Sequence, residues 1–162
     1  MENKKNREII IEELIALISK GNAHVSFEEA VSGIDLKLLT VVPDKLPYSI
    51  WQLIEHIRIA QWDIVEFCLS AAHESPEWPA AFWPDAVQAV KKEELEKSLK
   101  QISEDRIRFF DLLKDPSKDL YQPFTYGDGQ NLFREALLIA DHTAYHVGEV
   151  IIIRRLLGNW KT

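Results

Sequence analysis

The sequence has little cysteine, no excess of basic residues and no long apolar run, and each absence excludes a class of protein. A single cysteine, Cys68, cannot form an internal disulfide, so a reduced, cytoplasmic protein is expected. Lysine and arginine (19) are outnumbered by aspartate and glutamate (26), which gives a net charge of −7. Neither nucleic acid nor an anionic membrane surface is therefore an expected partner. No apolar run approaches the ~20 residues of a membrane span, and the charged N-terminus lacks the pattern of a secretory signal.

Alternating β patterns, internal repeats and linkers are also missing from the sequence. Hydrophobic residues at 46% and charged residues at 28% are ordinary globular values, which excludes a disordered chain. A length of 162 residues is enough for one domain with a proper core. We therefore expect a single domain over residues 1–162.

Apolar periodicity and capping patterns predict an all-α chain. Capping boxes begin at Ser26 and Ser49, where a serine is followed three residues later by Glu29 and Gln52. The four long helices are expected at about residues 3–20, 49–72, 91–114 and 131–158, with a short helical piece over residues 26–31. An antiparallel four-helix bundle with long loops follows from this pattern, and such bundles often hold metal ions between facing helices.

Two long loops, over residues 73–90 and 115–130, separate the later helices and are rich in proline and aromatic residues. Loops of this length in compact domains are often functional. Two interpretations exist for the aromatic residues of the first loop, Trp78, Phe82 and Trp83: they cover the end of the bundle, or they line the mouth of a substrate site. Covering the bundle end is favoured, because aromatic side chains bury a large area.

The residues with the clearest chemical potential are His142 and His146, four positions apart in the last predicted helix. That spacing places them about 40° apart around the helix axis and about 6 Å apart along it, so both rings can reach one ion. Glu149 lies about 20° from His142 on the other side and extends the polar stripe. Buried polar groups are costly unless they are paired or coordinated, so the stripe favours a site.

A third ligand is expected from another helix, and His56 is the best candidate because it lies in the middle of the second long helix. Three neutral imidazoles suit Zn²⁺, Ni²⁺ or Fe²⁺ and leave coordination positions open for water or substrate, which is the catalytic pattern. Glu149, Asp63 or Glu55 could orient an imidazole by a hydrogen bond. Spacing alone leaves open the alternative of three packed histidines that hydrogen-bond to one another or to carboxylates.

The other histidines and the cysteine have simpler interpretations. His24 lies in a turn, and a capping or packing role is favoured over a role in the site. His73 lies just before the proline-rich loop and is expected to be solvent-exposed. Cys68 is interpreted as a small buried hydrophobic residue, because no neighbour that would stabilise a thiolate is visible.

Four segments, taken in order, resemble the DinB-like (YfiT-like) superfamily over about residues 9–158. They are GNAHVSFEEAV, LPYSIWQLIEHIRIAQWDI, SPEWP and REALLIADHTAYHVGEVIIIRR. The resemblance implies a four-helix bundle that binds a divalent metal through His56, His142 and His146. Many relatives carry arginine directly after the second histidine of this pair. Here that position is Val147, whereas the acidic or amide position is kept as Glu149.

The function that the resemblance implies is broad. Some members transfer low-molecular-weight thiols such as bacillithiol or use mycothiol, and others are described as metal-dependent hydrolases. We therefore expect a metal-dependent enzyme that acts on a small molecule, either by transfer of a thiol cosubstrate or by hydrolysis. In the hydrolytic version Glu149 or Asp63 would donate and accept protons.

The competing hypothesis is a non-catalytic metal-binding or scaffold protein of the stress response. A homodimer is plausible, because a bundle can bury a spare helix face against a second copy.

Overall fold

The computed structural model describes residues 4–160, which contain five α-helices and no strand. The helices are α1 (Lys4–Lys20), α2 (Phe27–Val31), α3 (Ile50–Leu69), α4 (Lys92–Lys114) and α5 (Leu132–Leu156). Short 3₁₀ turns lie at Leu36–Leu38 and Ala80–Phe82. The all-α prediction is confirmed. The predicted start of the first helix at residue 3 lies outside the described residues.

Local capping explains where the helices begin. The Ser26 and Ser49 side chains accept hydrogen bonds from the backbone N–H groups of Glu29 and Gln52, whose side chains in turn accept from the serine N–H groups. Both predicted capping boxes are therefore confirmed. Asn131 caps α5 by accepting from the N–H of Arg134 at 2.9 Å.

Helix α3 packs against both α4 and α5, and α1 packs against α5 and α4. Gln61 donates to the carbonyl of Ile102 at 2.7 Å, and Glu66 pairs with Arg108 at 2.6 Å, so residue numbers rise together along α3 and α4. These two helices are therefore parallel. The prediction of an antiparallel arrangement is wrong for this pair.

Because α3 and α4 run in the same direction, the chain between Leu69 and Lys92 must return along the length of α3. A helix of 20 residues is about 30 Å long, which a tight turn cannot span. The long predicted loop over residues 73–90 is this crossover. Its 3₁₀ turn passes beside the first half of α3, where Phe82 is buried.

Two clusters of buried apolar side chains form the core. One lies at the α2 end of the molecule and includes Ile54, Ile57 and Val150, and the other lies toward the start of α5 and includes Phe109 and Leu113. One detail of the prediction is wrong: helix α3 ends at Leu69 rather than near Ala72. On α4, the apolar side chain of Ile107 is 56% exposed.

Helix α5 is the one helix within residues 4–160 that is long and apolar enough to cross a membrane by length and composition. The sequence has no continuous apolar run there, because charged and polar residues interrupt it. Less than half of its most apolar window is buried inside the structure. Its inner face supplies core residues such as Ile139 and Ile153.

Candidate metal centre

Three histidines meet between α3 and α5, as the sequence predicted. His56 comes from the first half of α3, and His142 and His146 lie one turn apart on α5. One ring nitrogen from each lies within 4.8 Å of the other two. His56 and His146 are buried, with exposures of 2% and 6%, and His142 is partly exposed.

A hydrogen bond fixes the tautomer of His56. Its Nδ1 lies 2.8 Å from the carbonyl oxygen of Phe82, which can only accept, so Nδ1 carries the proton. The lone pair on Nε2 then points toward Nε2 of His142, 3.1 Å away. Two nitrogens bound tetrahedrally to one ion at ~2.05 Å would be about 3.3 Å apart, so this separation fits a shared metal.

His146 is oriented in an equivalent way by a carboxylate. Its Nδ1 lies 2.6 Å from Oε2 of Glu149, one turn further along α5, and the other oxygen of Glu149 accepts a short hydrogen bond from the hydroxyl of Tyr48. Metal-binding histidines commonly use their second nitrogen in this manner, which frees Nε2 for the ion. Burial and the Glu149 carboxylate raise the pKa of Tyr48, so the phenol keeps its proton and remains a donor.

The crossover loop covers one side of the site with stacked rings. The Trp83 ring lies parallel to the His56 ring, with centroids 4.0 Å apart, and the Tyr48 ring also stacks on Trp83, with centroids 5.1 Å apart. Trp78, in contrast, is exposed. Phe82 and Trp83 both contact His56, one through its backbone carbonyl and the other through its ring. The choice between a cover for the bundle end and the mouth of a substrate site stays a prediction.

The electrostatics of the site favour neutral imidazoles at His142 and His56. Burial, together with the neighbouring His146 and His56, lowers the pKa of His142 to about 3. Burial also lowers the pKa of His56, although the Phe82 carbonyl acts in the opposite direction. Since a metal ion competes with protons for these nitrogens, histidines that resist protonation suit a metal site.

The other residues proposed from the sequence lie elsewhere. Asp63 faces His73, whose Nε2 lies 2.7 Å from Oδ1, so His73 is largely covered instead of solvent-exposed. Glu55 is engaged by Arg58 at 2.8 Å. The His24 ring contacts the carbonyl of its neighbour Val25.

Sequence reasoning did not find Tyr48, or the stacking of Trp83 on His56. No local spacing links these residues to the histidines, because the crossover and the start of α3 bring them together. The signals available were an aromatic residue directly before the Ser49 cap and a loop unusually rich in aromatic residues.

The all-helical fold brings together three histidines that could hold a metal ion, and helical proteins commonly place such sites between facing helices. The family model described as the DinB superfamily matches residues 23–150, which is most of the chain and includes all three histidines. The chain belongs to the DinB superfamily. No curated protein and no solved structure matches it significantly.

Proposed function

We propose that the protein binds a divalent transition metal through His56, His142 and His146 and uses it in a reaction on a small molecule. Zn²⁺, Ni²⁺ and Fe²⁺ all accept this set of nitrogen donors. The observation that carries the proposal is the pair of hydrogen bonds that hold the Nδ1 atoms of His56 and His146, on Phe82 and Glu149, while the opposite nitrogens face one another.

Of the two reactions expected from the sequence, thiol transfer has the better support. A bound ion would activate water as well as a thiol, but hydrolysis also needs proton transfer to the leaving group, and both candidate residues have partners: Glu149 holds His146 and Tyr48, and Asp63 faces His73. Thiol transfer makes no such demand on a side chain, because a bound ion, acting as a Lewis acid, would lower the pKa of the thiol.

In the proposed reaction the sulfur of a low-molecular-weight thiol attacks an electrophilic carbon. A carbon–sulfur bond forms, the bond to the leaving group breaks with its electron pair, and the thiol proton is released with the leaving group. The chain's own contribution is positional. Trp83 and the Phe82 carbonyl hold the His56 ring, and Glu149 holds that of His146.

A non-catalytic metal-binding protein is the second candidate, and one observation favours it. Trp83 stacks on one face of His56, with ring centroids 4.0 Å apart. Five grooves on the described residues lie elsewhere, and none of these five is lined by His56, His142 or His146. The loop over residues 115–130 packs around Phe67, where the Tyr126 hydroxyl donates to the Phe67 carbonyl. Partial exposure of His142 leaves a route of access on the α5 side.

The two candidates are separated by an assay on metal-loaded protein. Thiol consumption with a chlorodinitrobenzene as electrophile, followed for parent and His142→Ala protein, should show turnover only in the parent. Metal bound with no turnover of any thiol or ester tested would favour the non-catalytic protein. Hydrolysis of an ester without thiol, lost in Glu149→Ala, would favour a hydrolase.

The proposal includes two broader features. The pairwise packing of α1, α3, α4 and α5 supports a four-helix bundle with one long crossover, between α3 and α4. The buried, unpaired Cys68 is compatible with a reducing, cytoplasmic location.

A further inference from the structure

The outward face of α5 is apolar, although its inner face already supplies the core. The exposed apolar side chains on this helix are Leu137, Leu138, Tyr145, Ile152 and Leu156. The last three are 66%, 52% and 62% exposed. A helix that is apolar all round is usually covered on all sides, and a contiguous exposed apolar surface marks an interaction site.

Gly148 lies in the middle of this face and leaves its centre open. A Cβ atom built at Gly148 would meet no atom within 4 Å, so no neighbour within the described chain needs the space. A glycine inside a helix lowers stability relative to alanine. Its presence is explained if another backbone comes close at this point, next to the small Ala144 one turn away.

Two opposite charges are placed symmetrically about Gly148. Asp141 lies seven residues before it and Arg155 seven residues after it, so each is about 20° from Gly148 around the helix and ~10 Å away along it. Both are exposed. Among residues 4–160 neither side chain has a hydrogen-bond or ion-pair partner.

A twofold axis at Gly148 would relate this face to itself. Two antiparallel copies of α5 would then place each Asp141 at the level of the partner's Arg155, which makes two equivalent ion pairs. The same axis would place the partner's Ile152 at the level of Ala144 and the partner's Leu156 at the level of Ala140.

A groove is present where those two side chains would arrive. It has a volume of about 590 Å³, lies between α1 and α5, and is lined by Leu17, Leu137, Leu138, Ala140, Asp141 and Ala144, with His24 and Arg134 also on its walls. Each copy thus has two exposed apolar side chains, Ile152 and Leu156, and a largely apolar groove. In the antiparallel arrangement, the two side chains of one copy lie at the level of the groove of the other.

We propose that the protein forms a homodimer through its α5 helices, which cross antiparallel at Gly148. The second copy is favoured over a membrane as the occupant for two reasons. The net charge of the chain is −7, which opposes binding to anionic lipid, and Asp141 and Arg155 are placed for self-pairing.

Sedimentation equilibrium of the tag-free protein tests the dimer. The parent should sediment as a dimer, and Gly148→Leu and Ile152→Glu should sediment as monomers with unchanged circular dichroism. Gly148→Leu has room for its side chain in the monomer, so loss of the dimer would not reflect misfolding. Ile107→Glu is the matched control, because Ile107 is 56% exposed on α4, and this variant should remain dimeric.

Charge reversal tests the register. Asp141→Arg and Arg155→Asp should each weaken dimerisation by about tenfold or more, and the double variant should recover most of the loss. A monomeric parent would overturn the proposal, and its co-sedimentation with phosphatidylglycerol vesicles would identify a membrane as the occupant. A dimer that survives both Gly148→Leu and Ile152→Glu would equally overturn it, by placing the interface elsewhere.

Discussion

The Nδ1 of His56 donates to the backbone carbonyl of Phe82 at 2.8 Å, across the space between α3 and the crossover loop. This bond ties the orientation of one histidine to the path of a loop 26 residues further along the chain. The crossover exists because α3 and α4 are parallel, so the topology of the fold and the chemistry of the site depend on the same segment.

Glu149 should contribute to metal affinity without contacting the ion. Its carboxylate holds Nδ1 of His146, and loss of such a partner typically weakens metal binding about 10- to 100-fold. We therefore expect Glu149→Ala to raise the Kd for Zn²⁺ by that factor in a competition titration with a chelating dye. Glu55→Ala is the control, because Glu55 pairs with Arg58 and should leave the Kd unchanged. Equal effects of both substitutions would contradict the role of Glu149.

The stability of the metal-free protein should fall as pH decreases below neutrality. His142 has a folded-state pKa of about 3, against an ordinary value of 6.5, so above pH 6.5 it is neutral in both states and contributes no pH dependence. Between these values the unfolded chain takes up a proton that the folded chain excludes, which lowers the free energy of unfolding by up to about 1.4 kcal/mol per pH unit.

Urea unfolding near neutral pH and at about pH 5 measures this dependence. His142→Asn should show a smaller difference between the two conditions than the parent. His24→Asn, at an exposed histidine, should behave as the parent does. An identical pH dependence in parent and His142→Asn would show that His142 is not protected from protonation.

The pairing of Asp63 with His73 should stabilise the fold and leave the metal site unaffected. Removing the imidazole in His73→Ala leaves a largely buried carboxylate without its partner, which costs roughly 1–3 kcal/mol. Thermal unfolding should show the loss, while metal content stays equal to that of the parent. Lys100→Ala, which removes an exposed ion pair with Glu104, should change stability little. A loss of metal in His73→Ala would show that the metal site has been assigned to the wrong residues.

Cys68 should be chemically inert in the folded protein. The thiol is buried, and burial, with a smaller effect of Glu135, raises its pKa. Reaction with a disulfide reagent should therefore be slow under native conditions and fast in urea. Fast native labelling, or loss of turnover in Cys68→Ala, would show that the thiol takes part in the chemistry.

The sequence was sufficient to predict the features that depend on local spacing. The capping serines Ser26 and Ser49 identified helix starts, because a capping box involves residues only three positions apart. The pair His142 and His146 could be placed on one helix face by periodicity alone. His56 needed the additional support of the family resemblance, since no spacing rule connects α3 to α5.

Features that depend on how helices are arranged could not be predicted. Helix direction is set by packing between distant segments, so the parallel orientation of α3 and α4 was missed. The positions of Trp83 and Tyr48 at the site follow from that orientation. His73 was expected in solvent because the residues after it are polar and proline-rich, and only the structure reveals the turn that brings it back to Asp63.

The metal site is tested most directly by elemental analysis of the tag-free parent and the His56→Ala variant, both purified without added metal or chelator. We expect about one equivalent of a transition metal in the parent and little in the variant, with a higher thermal midpoint for the metal-bound parent. Absence of metal in the parent, with no thermal shift on adding Zn²⁺, Ni²⁺ or Fe²⁺, would contradict the site. The three histidines would then be a packed cluster that hydrogen-bonds to Phe82, to Glu149 and within itself.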